Sequence, residues 1–184
     1  MLVGLVVLMT KNDNMKLLFS LLFSVCFLTA FAQSKEAERE AHVKAYQENI
    51  TKSRINGVYI PRDIPDAIKQ LKRKADAKAL ESFSGADEDM VAKKLHFGLG
   101  RWMIYNWNFE EGSRLSHNLS HLGLINADEM AQLLIRALHR DLNQLEIKEK
   151  EIAEAIIEKR ERAKKERFDD HTLEVLSKKK MEKN

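Results

Sequence analysis

The run from Leu95 to Trp107, LHFGLGRWMIYNW, holds both tryptophans of the chain together with a Gly-x-Gly, and it dictates where a core can form. Large aromatics bury the most area per residue, so a small domain is anchored where they sit. At helical spacing Val91, Leu95, Leu99, Trp102 and Met103 share one face, while Asp87, Glu88, Lys93 and Arg101 fall largely off it. The spacing predicts a core helix from about Asp87 to Trp107 with one wet side. Inside a helix Gly98 and Gly100 each cost about 1 kcal/mol against alanine, so they imply close approach by another backbone or a local kink. A phosphate-cradling loop is the competing reading. It fails because no strand precedes the Gly-x-Gly, a third glycine is missing and apolar helical residues run through it.

Met1 to Thr10 is apolar but too short to span a bilayer, and Lys11 to Asn14 interrupts it. A second start at Met15 is better formed. Lys16 supplies a positive n-region, Leu17 to Thr29 an apolar h-region, and Ala30-Phe31-Ala32 the small-x-small pattern that signal peptidase cuts. Residues 1–32 are therefore read as a signal peptide region with Met15 as initiator, and the protein as exported, periplasmic or secreted. An uncleaved anchor is disfavoured, because Leu17 to Ala32 falls short of the roughly 20 residues a spanning helix needs. The single cysteine, Cys26, lies inside the h-region, which argues against lipidation and leaves the mature chain without a disulfide. The net charge of +3 drops to +2 once Lys11, Asp13 and Lys16 leave with the leader, too little for a dedicated nucleic-acid surface.

Beyond the leader the pattern is helical throughout. Residues 33–54 read as a polar helix with a thin stripe of Ala41, Ala45, Tyr46 and Ile50. Asn56-Gly57 marks a turn or helix stop, and Val58 to Pro61 must be extended because proline disfavours the helical region before it. Asp63 caps a helix from about Ile64 to Lys74, with Pro65 in the first turn, and Asp76 to Phe83 adds a turn or two. Ser84 to Asp87 restarts the chain into the central helix. Asn108 to Gly112 is a loop, Ser113 caps a short helix through Leu115, Leu119 and Leu122, and Gly123 closes it. Asn126 with Glu129 opens the clearest helix start, followed by an apolar face of Met130, Leu133, Leu134, Ala137, Leu138 and Leu142. Leu138, Leu142, Leu145, Ile152, Ile156 and Ala163 continue as an imperfect heptad seam, so one helix is expected from Ala127 to about Arg167. The expected fold is all-α with no sheet: a compact helical domain of four to five helices over residues 55–143, then a charged helical extension over 144–184. Tyr59, Trp102, Trp107, Gly98 and Gly100 are assigned to its structural core.

The block from Ile55 to about Asn143 resembles a bacterial family of domains of unknown function. The resemblance rests on Ile55-Asn56-Gly57-Val58-Tyr59-Ile60-Pro61, His96-Phe97-Gly98-Leu99-Gly100, Asn106-Trp107, Gly112-Ser113-Arg114-Leu115, and Asp128-Glu129-Met130 leading to His139-Arg140. It implies no activity, ligand or catalytic residue.

Two groups of side chains invite chemistry. His117 and His121, four apart on a helix, point the same way as zinc ligands would, but Asn118 stands where the metalloprotease motif requires glutamate. A third ligand would have to come from His96 or His139. His96, Arg101, Arg114, His139 and Arg140 offer an anion-binding cluster, against the simpler use of Arg114 to hold the 108–112 loop and of His139-Arg140 to meet nearby carbonyls or acids. No catalytic residue is assigned, no cofactor is expected, and the enzyme question stays open with a non-enzyme favoured. The preferred reading is an exported interaction module that engages an unknown protein partner, or itself, through residues 145–167. It binds no nucleic acid and keeps no stable membrane anchor after cleavage. The alternative is a ligand-binding or metal-binding domain or enzyme built on the His/Arg cluster. The near-neutral charge and narrow apolar stripe of the extension argue against strong membrane adsorption.

Protein purified from its native cells is expected to begin at Gln33, and N-terminal mass spectrometry tests this. An intact Met15 or Met1 terminus would overturn the cleavage.

Overall fold

The computed structural model describes residues 35–181, so the leader and its cleavage site lie outside the described residues. The chain divides into two units, one ending at Ala45 and one beginning at Tyr46. Residues 35–49 form helix α1, and 35–45, the described part of the first unit, are exposed throughout.

The second unit starts with a feature that the all-α expectation left out. Arg54–Ile55 (β1) and Val58–Tyr59 (β2) pair antiparallel, with Arg54 opposite Tyr59 and Ile55 opposite Val58. Asn56 and Gly57 both adopt positive φ, 48° and 79°. This is the two-residue turn whose twist matches that of the strands it joins, and Asn-Gly is its preferred sequence. The expectation of no sheet is corrected to this one minimal hairpin among the described residues, on a fold that is otherwise all-α. Past it, Ile60 and Pro61 are buried, and the Arg114 guanidinium donates to the Ile60 carbonyl from Nε at 2.8 Å and from a second nitrogen.

Local signals place the helices that follow. Helix α2 (Ile64–Lys74) starts where the Asp63 carboxylate accepts the Asp66 N–H at 2.9 Å, and α3 (Ala77–Ser84) and α4 (Glu88–Leu95) start the same way on Asp76 and Asp87. In each case an orphan N–H of the first turn gains a charged acceptor. The central rod then widens into one π-helical stretch, His96–Gly100, before resuming as α5 (Arg101–Asn106). Ser113 caps α6 (Arg114–Ser120) through a reciprocal box with Ser116, and Asn126 caps α7 (Ala127–Leu142) by accepting the Glu129 N–H at 2.9 Å.

Helix α7 is the centre of the core. It contacts α2, α3, α4, the π stretch, α5 and α6, and it buries Ala131, Leu133, Leu134, Ile135, Ala137 and Leu138. Gly100 faces it directly, since a β-carbon there would sit 3.6 Å from Ala131 Cβ and 3.7 Å from Ile135 Cδ1. One of the two central glycines is thus explained by close approach. Gly98 is not, because its added β-carbon meets open space. Trp107 is 1% exposed and lies edge-on to Trp102, with ring centroids 5.6 Å apart.

The single helix expected from Ala127 to Arg167 does not form. The chain leaves α7 at Asn143, passes through left-handed Gln144 (φ 56°) and Lys148 (φ 50°), and restarts as α8 (Glu149–Met181). Leu145, placed in the seam by its spacing, is exposed in this connection. Ile152, Ala153 and Ile156 fold back and are buried in the core. The first turns of α8 therefore belong to the domain, beyond the boundary at Asn143 suggested by composition. From Glu161 to Asp169 every residue of α8 is exposed.

Gly98→Ala is expected to stabilise the protein by about 0.5–1 kcal/mol, from lower backbone entropy alone. Gly100→Leu should destabilise it by about 1–3 kcal/mol, by overpacking against α7. Urea midpoints at constant slope measure both.

Candidate functional site

The sequence-derived candidates are spread over the fold rather than gathered. His96 Nε2 lies 3.2 Å from Asp128 Oδ1, its Nδ1 is buried without a partner, and Arg101 is exposed on the far side of the rod. Arg114 does not hold the 108–112 loop; it ties α6 to the Ile60 carbonyl and lies with its Cζ 5.1 Å from the Tyr59 ring centroid. The loop is held instead by Asn108, which donates to the Gly112 carbonyl at 3.0 Å. His139 Nε2 meets the Ala86 carbonyl at 2.8 Å, and its ring lies edge-on to Phe83. Half-buried Tyr59 donates to Asp66 at 2.7 Å. Burial pushes the Asp66 carboxyl up, but bonds from Tyr59, the Arg62 N–H and Gln70 outweigh it and hold Asp66 below its ordinary value.

Arg140 belongs to a charge lattice between α4 and α7. Its Nε donates to Glu88 at 3.0 Å, one NH group donates to the Ile147 carbonyl at 2.9 Å, and Arg136 donates to Glu88 at 3.1 Å and Asp89 at 2.6 Å. Burial pushes Glu88 up, but hydrogen bonds from Arg140 and Arg136 outweigh it and hold the carboxyl below its ordinary value. The Arg136 hydrogen bond does the same for Asp89. Every donor on this lattice is committed to a partner within the fold. It joins two helices and the start of α8, and holds no charge in reserve for an anion.

His117 and His121 do come together, with ring centroids 4.7 Å apart, and Tyr46 OH lies 3.2 Å from His117 Nδ1. Among the described residues no group of three or more His, Cys, Asp or Glu side chains could hold a metal ion. The pair lacks the third ligand a zinc site requires.

What the spacing did not single out is an open apolar groove of 570 Å³ between α2, α3, α4 and the π stretch. Leu71, Phe83, Val91, Leu99, Trp102 and Leu138 form its floor and walls. Leu95, Leu99 and Trp102, which periodicity assigns to the core, are only half-buried because they face this opening. Helix α3 forms the outer wall without burying any residue fully. The groove falls within the 300–1,000 Å³ typical of small-molecule sites, and its lining contains no acidic side chain. Lys74 and Lys94 are the charged residues on it, with Lys74 Nζ 5.3 Å from the Trp102 ring centroid. A cavity of 720 Å³ beside the hairpin is larger but lined by Arg101, Asn106, Asn108, Glu110 and Glu111 among others, a polar surface that water satisfies as well as any ligand.

Residues 60–142 match the model of a family described as a domain of unknown function, DUF6794. The match runs from the residue after the hairpin to the last residue of α7, and so contains the whole groove lining. Neither a search of curated proteins nor one of solved structures found a match.

Because Glu88 titrates below its ordinary value when folded, its contribution is present above the unfolded pKa and is lost as pH falls through the folded one. Glu88→Gln is therefore expected to cost about 2 kcal/mol at neutral pH, and the gap to wild type should close below the ordinary glutamate range. Urea unfolding at pH 7 and pH 3 measures this; a gap unchanged with pH would overturn it.

Proposed function

We propose that this chain is an exported binding module that seats the apolar body of a ligand in the groove between α2, α3 and α4. The observation that carries this reading is the exposed apolar lining itself. Contiguous apolar surface left open to water is costly, and on a soluble domain it marks a binding site more often than chance. Among the described residues no helix is long and apolar enough to cross a membrane, so the groove is not the flank of a membrane span there. Export is supported by the Lys16, Leu17 to Thr29 and Ala30-Phe31-Ala32 pattern.

The same reading moves binding away from residues 145–167. The apolar residues of that seam, Ile152, Ala153 and Ile156, already pack into their own domain. What α8 offers beyond them is a charged surface whose ion pairs, such as Arg162 with Glu158 at 2.9 Å, are intrahelical and worth little singly. An interaction module using that stretch would have to unpack it first.

Energetics constrain the ligand. Each methylene taken from water gains about 0.8 kcal/mol, whereas association costs on the order of 4 kcal/mol or more before any contact is made. A ligand must therefore bury well over five methylenes to bind at all, which favours an extended chain over a compact metabolite.

The neutral fluorophore N-phenyl-1-naphthylamine tests the groove. The protein from Gln33 onward is expected to enhance its emission saturably, and Leu80→Asp and Leu99→Asp, which place a charge in the lining, should each weaken binding by about tenfold or more. Helical dichroism confirms that the variants fold. No enhancement, or enhancement indifferent to both folded variants, overturns the reading.

A further inference from the structure

The charges around the groove are one-sided, and this carries the ligand's identity further. Elsewhere in the domain the cations facing the core are spent: Arg136 and Arg140 on Glu88, Arg160 on Glu129 at 2.8 Å, Lys72 on Asp141, and Arg114 on a carbonyl. Lys74 and Lys94 are different. They end α2 and α4 at the groove, neither forms an ion pair, and no acidic side chain lines the surface they border. Lys74 leans over the Trp102 ring, so its ammonium sits at the margin of the apolar lining rather than out in solvent. An apolar trough bordered only by cations complements a molecule with a long apolar body and an anionic end.

We propose that the groove takes a free long-chain carboxylate, its alkyl chain along Leu71, Val91, Leu99 and Trp102 and its head group on Lys74 and Lys94. This rests on the groove being a ligand site, and it adds the chemistry of the ligand. A neutral chain would leave both ammonium groups without a counter-charge, and a cationic one would be repelled by them. A zwitterionic or acidic peptide helix is disfavoured by the lining: it offers no acceptor or donor set for a peptide backbone beyond Ser82 and the two lysines.

Competition against bound N-phenyl-1-naphthylamine tests the head group with the chain held constant. Dodecanoate is expected to displace the fluorophore at about three- to tenfold lower concentration than dodecanol, the range that two exposed charge pairs supply, with dodecyltrimethylammonium weaker than either. In Lys74→Gln/Lys94→Gln the fluorophore should still bind, and the advantage of dodecanoate over dodecanol should fall to about twofold or less. Binding of the fluorophore with equal displacement by acid and alcohol overturns the carboxylate while leaving the groove standing. An acid preference that survives in the double variant overturns the role of the two lysines. Displacement by phosphatidylglycerol vesicles but not by free dodecanoate overturns the free ligand in favour of a lipid surface. Failure of the fluorophore to bind overturns the groove and this proposal together.

Discussion

The domain depends on the burial of one helix from nearly every side. Helix α7 presents Ala131, Leu134, Ile135 and Leu138 to neighbours in several directions, and with no cysteine after residue 32 no crosslink can substitute for that packing. Interiors tolerate little void, so each neighbour is fixed by what α7 leaves open to it. Gly100 lets the central rod close on Ala131 and Ile135. The Arg136 and Arg140 guanidinium groups hold α4 at its amino end, where Glu88 and Asp89 also complement the helix dipole. Arg160 reaches back from α8 to buried Glu129, which also accepts the Ile125 N–H at 3.1 Å. That pair closes the opposite end of α7 and satisfies a carboxylate that would otherwise be costly to bury.

The groove is the part of this arrangement that packing leaves unfilled. Helix α3 is bounded by caps at Asp76 and Gly85 and is tied down at its carboxyl end, where Asn143 donates to the Ser84 carbonyl at 3.1 Å and His139 to Ala86 at 2.8 Å. Its other end has no such tether among the described residues, and its apolar residues Leu80 and Phe83 reach the groove without closing it. The two tryptophans consequently divide their work. Trp107 is sealed in the core beside Phe109, while Trp102 turns one edge to Trp107 and leaves the rest of its ring to the opening.

Features that act over three or four residues were legible in the sequence. Asp63, Asp87, Ser113 and Asn126 all cap helices as their side chains imply, and the stretch from Asp87 to Trp107 is one helical rod. The hairpin was legible too, since Asn56-Gly57 is its strongest short signal; reading it as a helix stop missed strands of only two residues each. The break between α7 and α8 was not. Gln144 and Lys148 take left-handed conformations without glycine, and the spacing of Leu138, Leu142 and Leu145 runs through the break as if the helix continued. The groove was invisible for a different reason. Periodicity marks a face as apolar but does not say whether a neighbour covers it, and the answer lies in where α3 stops. The His and Arg candidates show the same limit, because their partners, Ile60, Ala86 and Ile147 carbonyls among them, come from segments distant in the chain.

The π stretch at His96–Gly100 works as a phase shifter. An α-helix turns about 100° per residue, so one residue more or less within that stretch would rotate everything after it by about that angle relative to everything before. As the chain stands, Val91 and Ala92 on one side of the stretch and Met103, Ile104 and Trp107 on the other all reach the same core. A version of this rod shorter by one residue, running as plain α-helix, would keep its first half in register with α7 and swing Trp107 out toward water. The wide turn is thus what allows the two tryptophans to serve a sealed interior and an open trough from a single helix, and lengths of the rod that lack it belong to a different packing solution.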